Sequence, residues 1–443
     1  MVLGVRIPVV TWLLLALVSM GCRGAATTES GDDVGATPTL PAPQRTLIPV
    51  VKVATQVGWS GEEKPTPASG LQVQALARDL DHPRWLHVLP NGDVLVAETN
   101  APVRPADGGG IRNWFRKKIM QRAGAVTPSA DRITLLRDGD GDGEAELRTV
   151  LLRDLHSPFG MALVGNTLYV ANTGSVVAFT YNEGDTEILT PARRIADLPG
   201  GERNHHWTKS LIASPDGMKL YVGVGSNSNV AENGMAEEVD RAAILEIDPA
   251  SGAHRVFASG LRNPVGLAWQ PDSGMLWTAV NERDELGDDL VPDYMTSVRD
   301  GGFYGWPYSY YGAHVDERVK PQQPQLVASA LVPDYALGAH TASLGLAWSG
   351  DSALPSPFQH GMFIGQHGSW NRREPAGYRV IFVPFVGAQP QGRPIEVLGG
   401  FLDEKGQARG RPVGVAIDRR GALLVADDVG NVIWRVSAAS PGQ

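Results

Sequence analysis

The chain has a single cysteine among its 443 residues, Cys22, so it can form neither an internal disulfide nor a CxxCH haem attachment. Charge is also scarce at 20% of residues, and its balance is acidic, with a formal net charge of -9. Without a basic surface, nucleic acid is excluded as the main partner, because phosphate binding needs a positive field. The one basic run, Arg112 to Lys118 in RNWFRKK, reads as the cover of an inserted helix. No apolar run is long enough to span a bilayer, and the best candidate, Val9 to Val18, is half the length needed. With Arg6 ahead of it, this run reads instead as an export signal over residues 1–22, which places the protein in the periplasm or at the cell surface. Cys22 follows the run directly, as the acylated cysteine of a lipoprotein does, although Ser19 stands where such a signal prefers leucine. A lipid anchor at Cys22 is therefore expected, with a plainly cleaved secreted form as the alternative. Residues 23–69, rich in Thr, Pro, Ala, Gly and Ser, read as a disordered linker.

Glycine and proline, in contrast, are abundant at 52 and 32 residues, which suits many tight turns between short strands. From residue 70 onward six related segments recur. They begin at His82 (HPRWLHVLPNGDVLVAET), Ser157 (SPFGMALVGNTLYVANT), His205 (HHWTKSLIASPDGMKLYVGVG), Asn263 (NPVGLAWQPDSGMLWTAVNE), Ser343 and Arg411 (RPVGVAIDRRGALLVADD). Each has a small or proline-led start, an apolar strand, a polar turn and a second strand of the LYVA type. In the third, Pro215, Asp216 and Gly217 supply the hairpin turn. Six such units predict an all-β fold, a six-bladed β-propeller with four-stranded antiparallel blades over residues 70–438, carrying an insertion at 101–131 with a helix-like piece from Ile111 to Ala123. Two tandem β-sandwiches are the alternative, disfavoured because no linker divides the region. A propeller also expects its last blade to be completed by a strand from the other end of the domain.

Four places carry candidate chemistry. Asp138, Asp140 and Asp142 alternate in RDGDGDGEAE, a spacing that turns carboxylates toward one hard cation, so a Ca2+-stiffened hairpin is expected there; position twelve of an EF-hand would be Thr149, not Glu. His205 and His206 precede the third repeat's first strand, and neighbouring residues on a strand face opposite ways, so at most one should face a central cavity. Arg262 and Asn263 occupy the comparable mouth of the next repeat and would add a cation and an amide to a base of near-neutral pKa. Each could equally be a hydrogen bond between blades. The acidic run from Asn281, GGFYGWPYSYYG from Gly301, QHGSWNRR from Gln366 and ARGRPVG from Ala408 are further mouth candidates.

HHWTKSLIASPDGMKLYVGVGSNSN, GLRNPVGLAW, GGFYGWPYSYYG, GQHGSWNR and GRPVGVAID, in that order, resemble the quinoprotein glucose/sorbosone dehydrogenase family, on its sorbosone dehydrogenase-like branch. The resemblance spans about residues 75 to 438 and implies pyrroloquinoline quinone (PQQ) bound over the channel with Ca2+ beside it. It places the catalytic base on His206, and the pair facing the reactive carbonyls on Arg262 and Asn263. Ca2+ ligation falls on the backbone carbonyls of Glu282 and Arg283, with Asp288 and Asp289 as the paired acids downstream. Arg409 and Arg411 fall on the cofactor's carboxylates. Where the family has a lysine, His367 or Arg372 is expected to substitute. Where soluble glucose dehydrogenase has an Asp orienting the histidine, this chain has Gly225, Ser226 and Asn227; Ser226 or Asn227 can fix a tautomer but not match a carboxylate.

The expectation is thus an exported PQQ- and Ca2+-dependent oxidoreductase acting on an aldose or sorbosone-like hydroxy-aldehyde and passing electrons to an external acceptor. The alternatives are a non-catalytic propeller that binds without the quinone, and a Ca2+-dependent lactone hydrolase.

Overall fold

The computed structural model describes residues 33–44, 51–102 and 127–440. Six four-stranded antiparallel sheets follow one another around an axis. Blade one is Pro83–Val88, Val94–Glu98, Arg132–Arg137 and Leu147–Leu152; blade two is Met161–Val164, Thr167–Asn172, Ser175–Thr180 and Arg193–Asp197. Blade three is Lys209–Ala213, Leu220–Val224, Ala243–Ile247 and His254–Ser259; blade four is Pro264–Gln270, Met275–Val280, Pro292–Ser297 and Tyr335–Ala339. Blade five is Ser343–Trp348, Gly361–Gln366, Arg379–Val386 and Ile395–Gly399. Blade six takes Pro412–Ile417, Leu423–Asp427 and Val432–Ala438 from the end of the chain and Leu71–Ala77 from its beginning, with Val436 opposite Val73. The six-bladed propeller expected from the repeats is therefore present, closed by the expected strand exchange.

The repeat pattern follows from this packing. The second strand of each blade is covered on both faces by its neighbours, so Val94–Glu98, Leu220–Val224 and Leu423–Asp427 are buried along their whole length and read as unbroken apolar runs. The recurring glycine after the proline serves the axis, where innermost strands crowd. A Cβ on Gly345 would lie 2.1 Å from the Val413 carbonyl oxygen, and one on Gly266 would lie 2.5 Å from the Leu346 Cβ. In blade three the Pro-Asp-Gly turn closes as expected: the Asp216 carboxylate accepts from the Ser214 hydroxyl and the Met218 N–H, and Gly217 takes a φ of 71°.

The segment expected as a disordered linker departs from that reading over its described residues, which cross the mouth face as a strap. Val34–Gly35 pairs as a fifth strand on Tyr335–Ala339, and Gln44 N–H donates to the Leu286 carbonyl. Lys52 N–H donates to Trp370 O and Val57 N–H to Ala408 O; Thr66–Pro67 then pairs on Ile395–Gly399. Trp59 packs edge-on against Phe401 and Trp434, with centroids 5.7 and 5.4 Å away, and its Nε1 donates to Asp427 Oδ2 at 2.7 Å. The composition misled because the strap is held by a few anchors, Leu40, Ala54 and Trp59, and by backbone bonds that need no particular side chain. The signal segment, Cys22 and the helix-like piece of the insertion lie outside the described residues. At the insertion's base Asn100 Nδ2 donates to Thr127 O at 2.7 Å. Among the described residues no helix is long and apolar enough to cross a membrane.

Replacing Trp59 by Ala should lower stability by about 2–3 kcal/mol, from the lost ring contacts and the donor removed from buried Asp427. Urea unfolding should show a lower midpoint at unchanged slope, with Trp59→Phe in between. A Trp59→Ala midpoint equal to the parent's would mean that the strap is not bonded to the ring of blades.

Candidate functional site

The innermost strands all start at one face, and the residues just before them line its mouth. His206 lies three residues ahead of Lys209–Ala213 and is half-buried, whereas His205 is exposed. The His206 Nδ1 lies 2.8 Å from Ser226 O and 3.1 Å from Ser226 Oγ. A carbonyl can only accept, and the Ser226 hydroxyl spends its own proton on Ser228 O at 2.6 Å, so Nδ1 carries the imidazole proton and Nε2 the lone pair. Asn227 takes no part in this; its Nδ2 turns to Arg203 O, and its Oδ1 accepts from Asn233. Gly225 brings the next group close, since a Cβ there would lie 2.3 Å from Asn263 Oδ1 and 2.4 Å from His206 Cβ. Asn263 Oδ1 is itself buried without a hydrogen-bond partner. The backbone of His206 is pinned from below by Lys209, whose amine donates to the carbonyls of His206 and Trp207. Burial, with Arg241 adding repulsion, pulls that amine well below its ordinary pKa.

Arg262 is buried in a cage of oxygens. Its guanidinium donates to Asn229 O at 3.4 Å and Asn229 Oδ1 at 3.0 Å, to Asn281 O at 3.3 Å and Glu282 O at 2.6 Å, and to Asp284 Oδ2 at 3.4 Å. These carbonyl, amide and carboxylate oxygens are hard donors of the type Ca2+ takes, so guanidinium and cation would share them. The Arg283 side chain points elsewhere and is fully buried, donating to Glu282 Oε2, Pro307 O, Asp316 Oδ2 and Ser309 O beneath the aromatic loop. That loop, GGFYGWPYSYYG, is core packing around Tyr304, Tyr310 and Tyr311, with Trp306 Nε1 holding Asn229 O at 2.9 Å.

A second cluster, between blades one, five and six, was only partly visible in the sequence. Asp428 accepts from Arg84 Nη1 at 2.9 Å and bonds His367 Nε2 at 3.0 Å, with His82 Nε2 at 3.6 Å. Burial alone would raise the Asp428 carboxyl, but His367, His82 and Arg84 hold it far below the ordinary carboxylate range. Arg411 lies over the Tyr378 ring at 4.9 Å and donates to its hydroxyl at 3.1 Å. The Nε–H groups of both Arg84 and Arg411 are buried without a partner. Arg84 thus pairs with Asp428, Arg411 lies near enough to repel it, and Arg84 stacks over Trp207, the neighbour of His206, at 5.6 Å. Burial lowers the Arg84 guanidinium from its ordinary value, Arg411 adds to the fall and Asp428 opposes it. His82, Arg84 and Asp428 were missed, although repeat register held the signal. His82-Pro83-Arg84 aligns with Asn263-Pro264, and Asp428 follows its strand as Gly225 follows its own.

The remaining expected residues go elsewhere. Arg409 turns outward to Glu63 on the strap at 3.7 Å, apart from Arg411. Arg372 binds Asp289 at 2.7 Å and Arg373 binds Asp288 at 3.3 Å, bridging the mouth loops of blades four and five. Asp138, Asp140 and Asp142 lie with Glu146 in a hairpin between the third and fourth strands of blade one, and one ligand atom from each falls within 4.8 Å of the others. Asp138 there already accepts from Gly141 N–H, Gly143 N–H and Arg420.

The TrAA12-like family matches residues 129–296 and 327–439, together more than half of the chain. The aldose sugar dehydrogenase YliI of Escherichia coli strain K12 is 23% identical over 337 residues, covering 72% of this chain and 82% of that protein. Among solved structures, the holo form of the pyranose dehydrogenase PQQ domain from Coprinopsis cinerea aligns over 87% of this chain and 100% of its own, with TM-score 0.68 and 19% identity. The calcium structure of the Trichoderma reesei AA12 carbohydrate-active enzyme aligns over 89% and 100%, with TM-score 0.67 and 19% identity. At such identities the structural likeness shows the propeller fold.

His82 supplies a pH test of the buried cluster. Burial, against the pull of Asp428, lowers its pKa from 6.5 to about 4. The folded value lies below the unfolded one, so the contribution is whole above pH 6.5 and is lost as pH falls toward 4. The stability of the parent relative to His82→Gln should therefore drop by up to about 3 kcal/mol across that window. Urea midpoints at stepped pH check this, and a flat difference would refute the buried neutral imidazole.

Proposed function

The chain belongs to the TrAA12-like family, and from that premise we propose that it is a PQQ- and Ca2+-dependent sugar dehydrogenase, oxidising an aldose or a sorbosone-like hydroxy-aldehyde. The observation that carries the reading is one mouth holding both a histidine with its Nε2 lone pair fixed and a cluster of two buried guanidiniums with unpaired Nε–H groups. Those unpaired donors fit a ligand bearing several carboxylates, as PQQ does, and are otherwise costly to bury. The oxygens of Asn229, Asn281, Glu282 and Asp284 fit Ca2+ by their chemistry. The Arg283 carbonyl belongs to the same proposal by resemblance. When bound, the quinone supplies a two-electron acceptor for hydride at C5.

The residues of the chain have these proposed roles. His206 Nε2 removes the hydroxyl proton at the carbon being oxidised, and Ser226 keeps the ring in the basic tautomer. Asn263 Oδ1 offers an acceptor to an O–H or N–H of a bound molecule. Arg262 supplies fixed positive charge at the mouth, where negative charge develops in a water-poor setting. Arg411 and Arg84 hold carboxylates, with His367 beside them. Arg409, turned to the strap, and Arg372, paired with Asp289, support the mouth from its rim, as Asp288 does. Asp138, Asp140 and Asp142 form a separate candidate for structural Ca2+ at the outer edge. Electrons leave to an external acceptor, since the chain has one cysteine and no haem attachment. Export and a lipid anchor at Cys22 complete the proposal.

Titrating the full chain with PQQ in Ca2+, then adding aldoses and a redox dye, tests the reading. It predicts a red-shifted quinone absorbance and dye reduction, and in His206→Ala a retained absorbance with dye reduction lowered at least about 100-fold. A His206→Ala protein that kept the full rate would overturn the base assignment. Absence of both signals in the parent would leave a binding propeller, and lactone hydrolysis without quinone would leave a hydrolase.

A further inference from the structure

We propose that Glu238 is the positioning carboxylate of His206, acting through Ser228 and Ser226; this rests on the reading of His206 as the base. In the sequence the stretch after the second strand of blade three, Gly225-Ser226-Asn227, carries no acid. The chain folds back there, and the short turn Met235–Glu238 brings Glu238, 5% exposed, beneath that stretch. Its Oε2 accepts the Asn227 N–H at 2.7 Å, and its Oε1 accepts the Ser228 hydroxyl at 2.7 Å. Ser228 O in turn accepts the Ser226 hydroxyl at 2.6 Å, which directs that proton away from the imidazole and turns the lone pairs of Ser226 Oγ, with Ser226 O, toward His206 Nδ1. The carboxylate therefore fixes the orientation of the two acceptors that fix the tautomer.

The charge of Glu238 has a second consequence. Among the described residues no cation forms an ion pair with it; the Arg241 guanidinium acts on it through space but spends its donors on Asn204 Oδ1, Gly225 O and Gly200 O. Burial lifts the Glu238 carboxyl above its ordinary value, against the two hydrogen bonds it receives and the charge of Arg241. A buried carboxylate without a paired cation, linked by hydrogen bonds to a base, gains a counter-charge when that base takes up a proton. Glu238 thus raises the basicity of His206 from a distance, in the place where a directly bonded acid is absent.

The test uses the full chain, 15N-labelled and cofactor-free, with long-range imidazole spectra; the His206 signal is the one lost in His206→Gln. The parent should show the Nδ1–H tautomer. Glu238→Gln should lower the His206 titration midpoint by about half a pH unit, and Ser228→Ala, which removes the hydroxyl held by Oε1 but keeps the Ser228 carbonyl and the Asn227 N–H on Oε2, should shift it the same way by less. Glu237→Gln, exposed on the same turn, should leave it unchanged. A His206 midpoint and tautomer equal to the parent's in both Glu238→Gln and Ser228→Ala would overturn the proposal. Dye reduction by His206→Ala separates the two readings: a dead variant with no spectral coupling refutes Glu238 alone. A fully active variant with coupling present supports the link from Glu238 to the imidazole and refutes the base.

Discussion

Closure of the ring is the constraint on which everything else depends. Leu71–Ala77 and Val432–Ala438 are more than 350 positions apart, and only their pairing completes blade six. Before that pairing, each blade is a small twisted sheet with two apolar faces and no lasting partner. After it, every second strand is covered on both sides and the innermost strands reach the axis, where glycines such as Gly345 admit backbone contact. The mouth follows as a by-product of closure. His206, Asn263, Arg411 and Arg84 come from four different repeats, and no local segment could bring them to one face.

At that mouth the fold carries an electrostatic cost that packing alone would not retain. Arg411, His82 and Asp428 are withdrawn from water, Arg84 and His367 largely so, and the single carboxylate pairs with only one of the two guanidiniums. Unpaired Nε–H groups on both arginines remain, which in a well-packed interior is a standing destabilisation. The Arg262 cage differs: every donor there meets an oxygen, and the guanidinium stabilises the mouth loops of blades three and four. One half of the mouth is therefore self-satisfied and the other half is left wanting an anion. This asymmetry is the physical reason for assigning ligand anchoring to the second cluster and charge stabilisation to the first.

Much of this was legible in the residues because the fold repeats. Six proline-led starts and LYVA-type strands report a period, and the period reports the architecture, whatever the identity of individual side chains. The same register put His206, Arg262 and Asn263 at strand mouths. What stayed illegible depends on distances between repeats. Glu238 sits twelve positions after Ser226 in a loop of no regular pattern, and its contact with Ser228 exists only in the folded turn. Arg409 and Arg411 look alike two positions apart, yet one faces Glu63 and the other Tyr378, because both precede the strand Pro412–Ile417 and a bend at Arg409 breaks the strand rule that would put them on one side. The strap failed for a related reason, since average composition measures how much apolar surface a segment has and not where three anchors fall.

The strap in fact shares its fastening with the site. One carboxylate, Asp427, accepts the Arg411 N–H at 2.7 Å and the Gly430 N–H at 2.8 Å on Oδ1, and Trp59 Nε1 at 2.7 Å and Trp434 Nε1 at 3.1 Å on Oδ2. Burial pushes its pKa up to about 6 despite these donors, so the group is held by hydrogen bonds and not by a paired cation. Trp434 belongs to the strand that pairs with Leu71–Ala77, Trp59 to the strap, and Arg411 to the anion-seeking cluster. The carboxylate that fastens the strap to the closing blade is thus also the one that holds the backbone of Arg411. Loosening the strap therefore removes one of the four donors that hold Asp427 and reaches the site through that carboxylate, whereas the blades keep their ladders.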